Sequence, residues 1–197
     1  MSGAASSLRT RANALTALRL VCGPLLVLAL LERAALAAAL LFWLAVASDL
    51  LDGRVARRFG ESSALGGFLD HVTDAAFVSL GLAALALRGE TPGLLPLLVA
   101  LAFVQYTLDS RMQAKRAATD GAEPDVREGG ALRASALGRW NGIAYFVPIG
   151  TVATRDALAL AWPGRSLVLA LGWALVATTL LSMADRALAL RRGSRPH

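Results

Sequence analysis

Cysteine, aromatic residues and charge are all scarce in this 197-residue chain, and each shortage narrows what it can be. A single cysteine, Cys22, excludes an internal disulfide and a cysteine-rich metal site, leaving that thiol a packing role. Aromatic residues form 6% of the sequence and do not interleave with the cations, so a net charge of +6 and a pI near 10.9 do not describe a nucleic-acid surface. The cations gather instead at the ends of apolar stretches, as on a rim facing anionic lipid. No persuasive cleavage site follows Arg9, Arg11 and the apolar run 20–31, which reads as a retained first span. There is no short-period repeat, and the length suits one domain over 1–197.

What the chain has is apolar length. With 56% hydrophobic residues and a mean hydropathy of +0.55, its long Ala, Leu and Val runs point to the bilayer. Six segments read as spans: 14–32, 34–52, 66–88, 92–112, 139–154 and 165–187. The expected fold is all-α, a polytopic membrane bundle of six transmembrane helices behind a short interfacial segment, 1–13. Gly and Ser in RRFGESSALGG mark a turn between spans two and three, 117–138 reads as a cytoplasmic loop, and 190–197 as a tail.

Charge placement orients this bundle. Arg33, Arg88, Arg155 and Arg165 fall in short connections on one side, and the other 16 of the 20 Lys and Arg lie toward the opposite side. Such a bias assigns the basic side to the cytoplasm, with both termini inside and the protein integral to an inner or plasma membrane.

Two acid pairs break the apolar pattern: Asp49 and Asp52, then Asp70 and Asp74. Acids at membrane depth are costly and default to function. On helices, Asp49 and Asp52 share one face, as do Gly66, Asp70 and Asp74. If the two helices pack antiparallel, both acidic stripes face each other near the cytoplasmic end, and small residues there admit a ligand. Local cations are too few to neutralise four acids, which makes a divalent metal site the economical reading. Mg²⁺ shares its coordination between carboxylates and substrate phosphates, and four acids can hold two ions bridging a diphosphate. Arg57 can neutralise phosphate charge in bidentate fashion.

The pattern Asp49-x2-Asp52-Gly53-x2-Ala56-Arg57-x8-Gly66-x3-Asp70-x3-Asp74 resembles the signature of the CDP-alcohol phosphatidyltransferases at every specified position. Asn13-x2-Thr16-x2-Arg19 is similar to the family's N-terminal segment. The resemblance implies a six-helix membrane enzyme, usually a homodimer, with a polar cavity facing the cytoplasm. It would move a phosphatidyl-type group from a CDP-linked donor such as CDP-diacylglycerol to an alcohol, releasing CMP in phospholipid synthesis. Carried over, Asp49, Asp52, Asp70 and Asp74 would hold two Mg²⁺ or Mn²⁺ ions, and Asp74 would deprotonate the acceptor hydroxyl. Gly53, Ala56, Arg57 and Gly66 would cradle the CDP moiety, with Asn13 and Thr16 contacting it from the first span.

The same resemblance bears on the acceptor. His71 and Ala75 stand where users of glycerol 3-phosphate often carry proline and lysine, and AAFVSLGLA replaces the Phe-Gly-x-Ala-Pro stretch of the serine branch. Ser110, Lys115, Arg139 and Arg186 fall in places comparable to the inositol-phosphate branch, although Gln113 stands where a lysine is expected. With Arg116 they form the candidate acceptor site, for inositol phosphate or another small polar alcohol.

Other charged residues have plainer readings. Asp109 with Arg111, and Asp185 with Arg186, read as local ion pairs, and His71 reads as packing. Arg19 stays open between snorkelling to the headgroups and lining the cavity. The four tryptophans read as span or interface anchors. Competing functions are a small ion or proton transporter, with acids spread across several helices, and a non-catalytic membrane scaffold.

Overall fold

The computed structural model describes residues 11–59, 64–119 and 136–193, with side chains described over 18–51, 69–109, 138 and 140–188. Among these residues every regular element is a helix: α1 (Arg11–Leu31), α2 (Ala35–Phe59), α3 (Ala64–Leu87), α4 (Leu94–Thr119), α5 (Ala136–Ala144), α6 (Phe146–Ala157) and α7 (Arg165–Gly193).

Ala and Leu dominate these segments, and both are strong helix formers. The helices overrun the expected spans for that reason. α2 continues past Asp52 to Phe59, and α3 begins at Ala64, so helix replaces most of the turn expected around RRFGESSALGG. Gly53 is the weak former inside GRVARRF, at a cost of about 1 kcal/mol, and the flanking Ala and Arg residues carry the helix through it. α4 likewise runs on to Thr119, and α7 enters the expected tail as far as Gly193.

The fifth expected span, 139–154, is two helices rather than one. α5 ends at Ala144 and α6 starts at Phe146. Pro148 supplies the reason: it has no N–H to give the carbonyl four residues back, at Ala144, and its ring crowds that carbonyl. Pro24 inside α1 also removes one bond, yet α1 runs through it unbroken.

Three connections at one end of the bundle share a single chemistry. After α1, Ala34 N–H bonds Leu30's neighbour Ala29 and Arg33 N–H bonds Leu30; after α3, Glu90 N–H bonds Leu85 and Gly89 N–H bonds Ala86. After α6, Leu160 N–H bonds Arg155 and Ala159 N–H bonds Asp156. Each is a paired six-to-one and five-to-two closure that satisfies the last helical carbonyls and needs a left-handed residue after the helix. Gly89 fills that position at φ +71°, whereas Arg33 and Ala159 adopt φ 56° and 50° despite their Cβ atoms. Arg165 Nε donates to the Gly89 carbonyl at 2.6 Å, tying the start of α7 to the α3–α4 turn.

α1 packs against α2 and α3, α2 against α6, α3 against α4, and α7 against α4 and α5. Leu26, Leu30, Phe42, Phe77, Leu82 and Ile149 form the buried centre. Gly150 brings α6 onto Phe42 of α2: a Cβ there would lie 2.7 Å from the ring. Outward, Leu20, Val21, Leu40, Leu97 and Leu181 leave apolar side chains exposed, as do Trp43, Trp140, Trp162 and Trp173. Among the described residues two helical stretches, Leu69–Leu87 and Arg165–Leu188, are long and apolar enough to cross a membrane, with shorter apolar stretches at Leu18–Leu31, Ala35–Leu51 and Leu94–Asp109.

Candidate functional site

The acids lie at the end of the bundle opposite the three closures. Asp70 is 17 residues before the end of α3, which at helical rise separates it from the far turn by about 25 Å. Asp70 and Asp74 are four apart on α3 and so share a face. Asp49 comes from the antiparallel α2. One carboxylate oxygen from each of Asp49, Asp70 and Asp74 falls within 4.8 Å of the others.

Arg19 of α1 sits among them. Its Nη1 lies 3.1 Å from Asp49 Oδ1, its Nη2 lies 2.6 Å from Asp70 Oδ1, and Nη1 also pairs with Asp74 Oδ1. The Arg19 side chain is 1% exposed, against 42%, 37% and 29% for the three acids. The guanidinium therefore reaches the cluster from inside the bundle, while the carboxylates keep an open side. Of the two readings the sequence left for Arg19, the structure selects the cavity. Its signal was one cation inside an apolar first span, LTALRLVCGPLL, facing more acids than nearby cations could balance.

The donor set fits a hard divalent ion. Carboxylates are the hard oxygen donors that Mg²⁺ and Mn²⁺ prefer, and one oxygen from each of these three lies close enough to the others to share one ion. Asp52 belongs to α2, three residues after Asp49, and its side chain lies outside the described residues. The same holds for Gly53, Ala56 and Arg57 on α2, Gly66 on α3, and Asn13 and Thr16 on α1. It also holds for Ser110, Lys115 and Arg116 on α4, and Arg139 on α5.

Arg186 of α7 is described. It stacks over the Tyr106 ring at 5.0 Å, and His71 packs against Phe103 and Tyr106 at 5.0 Å from each. Tyr106 thus stands between Arg186 and the helix that carries Asp70 and Asp74. Gly138 on α5 makes room here, since a Cβ would come 2.8 Å from Arg186 Nη2. Asp109 on α4 is buried close by, within the electrostatic reach of Arg186.

The far end carries a second charged group with a different character. Arg155 pairs with Glu90 at 2.9 Å and with Asp156 at 2.8 Å, and Arg88 reaches Asp156 at 2.6 Å. The Glu90 hydrogen bond is the main reason the Arg155 pKa rises, against the opposing effect of burial. Burial pushes Asp156 up, but hydrogen bonds from Arg88 and Arg155 outweigh it and hold the carboxyl below its ordinary range. Every charge in this group is matched by its opposite, so the network is structural. A cavity of about 370 Å³ opens beside it, lined by Thr151, Thr154, Leu160, Trp162, Leu167 and Leu171 among others. Its mostly apolar walls offer nothing like the acid cluster.

In a comparison with known families, the model of the family described as CDP-alcohol phosphatidyltransferase matches residues 9–183, from before Asn13 to beyond the middle of α7.

Proposed function

Because the chain belongs to the CDP-alcohol phosphatidyltransferase family, we propose that it transfers a phosphatidyl-type group from CDP-diacylglycerol to a small polar alcohol and releases CMP. The observation that carries this reading is the convergence of Asp49, Asp70 and Asp74 oxygens within 4.8 Å of one another. Asp49, Asp52, Asp70 and Asp74 would hold two Mg²⁺ or Mn²⁺ ions. When bound, such ions draw charge from the donor's diphosphate and stabilise CMP as it leaves.

The chain's own residues supply the rest. Asp74 accepts the proton from the acceptor hydroxyl as its oxygen forms a bond to the phosphatidyl phosphorus. The bond from that phosphorus to the CMP oxygen breaks, and CMP departs with the electron pair. Gly53, Ala56, Arg57 and Gly66, on the facing ends of α2 and α3, cradle the CDP moiety, with Asn13 and Thr16 beside it on α1. Ser110, Lys115, Arg116, Arg139 and Arg186 orient the acceptor, either inositol phosphate or another small polar alcohol. The position of Arg186 across Tyr106 from α3 supports that assignment.

In this reading the bundle spans a cytoplasmic membrane six times, α5 and α6 together making one span, and works as a homodimer with its acidic end toward the cytoplasm. The exposed leucines and tryptophans on its outer surface support immersion in lipid.

The test is CMP release by the purified protein given CDP-diacylglycerol, Mg²⁺ or Mn²⁺, and in turn serine, glycerol 3-phosphate, inositol and inositol phosphate. Release that depends on one acceptor, and that stops with chelator or with Asp70→Asn, is expected. Absence of release with every acceptor would overturn the proposal.

A further inference from the structure

We propose that Arg19 is the built-in counter-ion of the acidic site and competes with divalent cations for the same carboxylate oxygens, so that it sets how tightly the site takes a metal. The inference rests on the metal reading given above. Three carboxylates drawn within 4.8 Å repel one another unless a positive charge stands among them. Arg19 is that charge. It is 1% exposed, it contacts all three acids, and it does so from α1 while the acids come from α2 and α3.

Guanidinium suits the task because it carries a delocalised positive charge and spreads several N–H donors over a plane. One oxygen of each acid, Oδ1 in every case, faces its two Nη atoms. A hard cation needs oxygens from this same small cluster at about 2.0–2.1 Å, with near-ideal octahedral geometry for Mg²⁺. The cluster cannot serve both at full strength. Loading the site therefore draws carboxylates away from Arg19. Arg19 is thus a positioning residue: it assembles the acids before a cation arrives and gives them up afterward.

Mn²⁺ binding tests this directly. The full chain would be purified in detergent micelles, stripped with chelator, and titrated with Mn²⁺ while the electron paramagnetic resonance signal of free Mn²⁺ is followed. Arg19→Gln removes the competitor and should lower the Kd roughly tenfold or more, the scale of one close charge contact in a half-buried site. Arg19→Lys keeps the charge but not the fork, so it should fall between the two. Metal-free Arg19→Gln should also melt earlier than the native chain and recover on saturation with Mn²⁺.

An unchanged or higher Kd in Arg19→Gln overturns the proposal. So does a Kd for Arg19→Lys equal to the native value, because then the charge acts through its field and not by sharing oxygens. If Arg19→Gln does not fold without metal, Arg19→Lys carries the comparison alone. Binding by neither the native chain nor any variant removes the metal reading itself, which is a distinct result.

Discussion

Arg19 of α1 and Asp70 of α3 meet at 2.6 Å, joining two helices whose sequence positions are 51 residues apart. That contact places a cation where two carboxylates of α3 and one of α2 converge, and it ties the integrity of the bundle to its proposed chemistry.

Asp74→Asn should lower acceptor-dependent CMP release by at least ~10²-fold, since a positioned proton acceptor contributes about 10²–10⁴. Chromatographic measurement of CMP at saturating acceptor and Mn²⁺ checks it. A loss below tenfold would remove Asp74 from the role of base.

Arg155→Ala should destabilise the fold without touching the chemistry. It strips a partner from Glu90, 8% exposed, and from Asp156, a change that costs about 3–5 kcal/mol for buried pairs. Thermal unfolding in micelles should show a clear fall in midpoint, while CMP release per folded molecule at low temperature stays as in the native chain.

The same network gives a pH signature. The carboxyl of Asp156 titrates lower in the folded protein than in the unfolded chain, so its stabilisation is complete above the unfolded pKa near 4. It is lost as pH falls through the lowered folded value. The difference in melting midpoint between the native chain and Asp156→Asn should be widest at neutral pH and should close on acidification below about pH 4. A gap that persists there would assign the effect to packing.

Ala159→Gly should stabilise. Ala159 holds φ 50° in the closure after α6, where a Cβ costs about 1–2 kcal/mol and glycine's extra unfolded-state freedom returns about half of it. A gain of about 0.5–1 kcal/mol is expected in reversible unfolding. Gly89, already glycine at the matching position after α3, is the internal precedent.

The acidic site was readable from sequence because it rests on local spacing. Asp70 and Asp74 share a face wherever that segment is helical; the long-range condition was that α2 and α3 pack antiparallel, and the structure brings their acids together with both helices packed on α1 instead of directly on each other. Arg19 resisted the same treatment because its partners are 30, 51 and 55 residues away, and no periodicity reports which neighbour a buried cation meets. The division of 139–154 at Tyr145 was encoded in Pro148, whose missing N–H is a local signal lost within an apolar run. Helix ends were read as loops for a further reason: Gly and Arg near α2 and α3 mark turns in soluble chains, but helical neighbours carried Arg57, Arg58, Gly66 and Gly67 here. The expected pairing of Asp185 with Arg186 depended on sequence adjacency, whereas Arg186 stacks on Tyr106 instead; the side chain of Arg111, expected beside Asp109, lies outside the described residues.

The closure between α1 and α2 is only three residues long, 32–34, and Asp49 lies fourteen residues beyond Ala35, where α2 starts. Removing one residue from that bend would swing every later side chain of α2 by about 100° and shift it by about 1.5 Å. Asp49, about 21 Å away, would then miss its guanidinium. The distant hairpin acts as a gauge block: the number of residues in it is as much a specification of the acidic end as any acid found there.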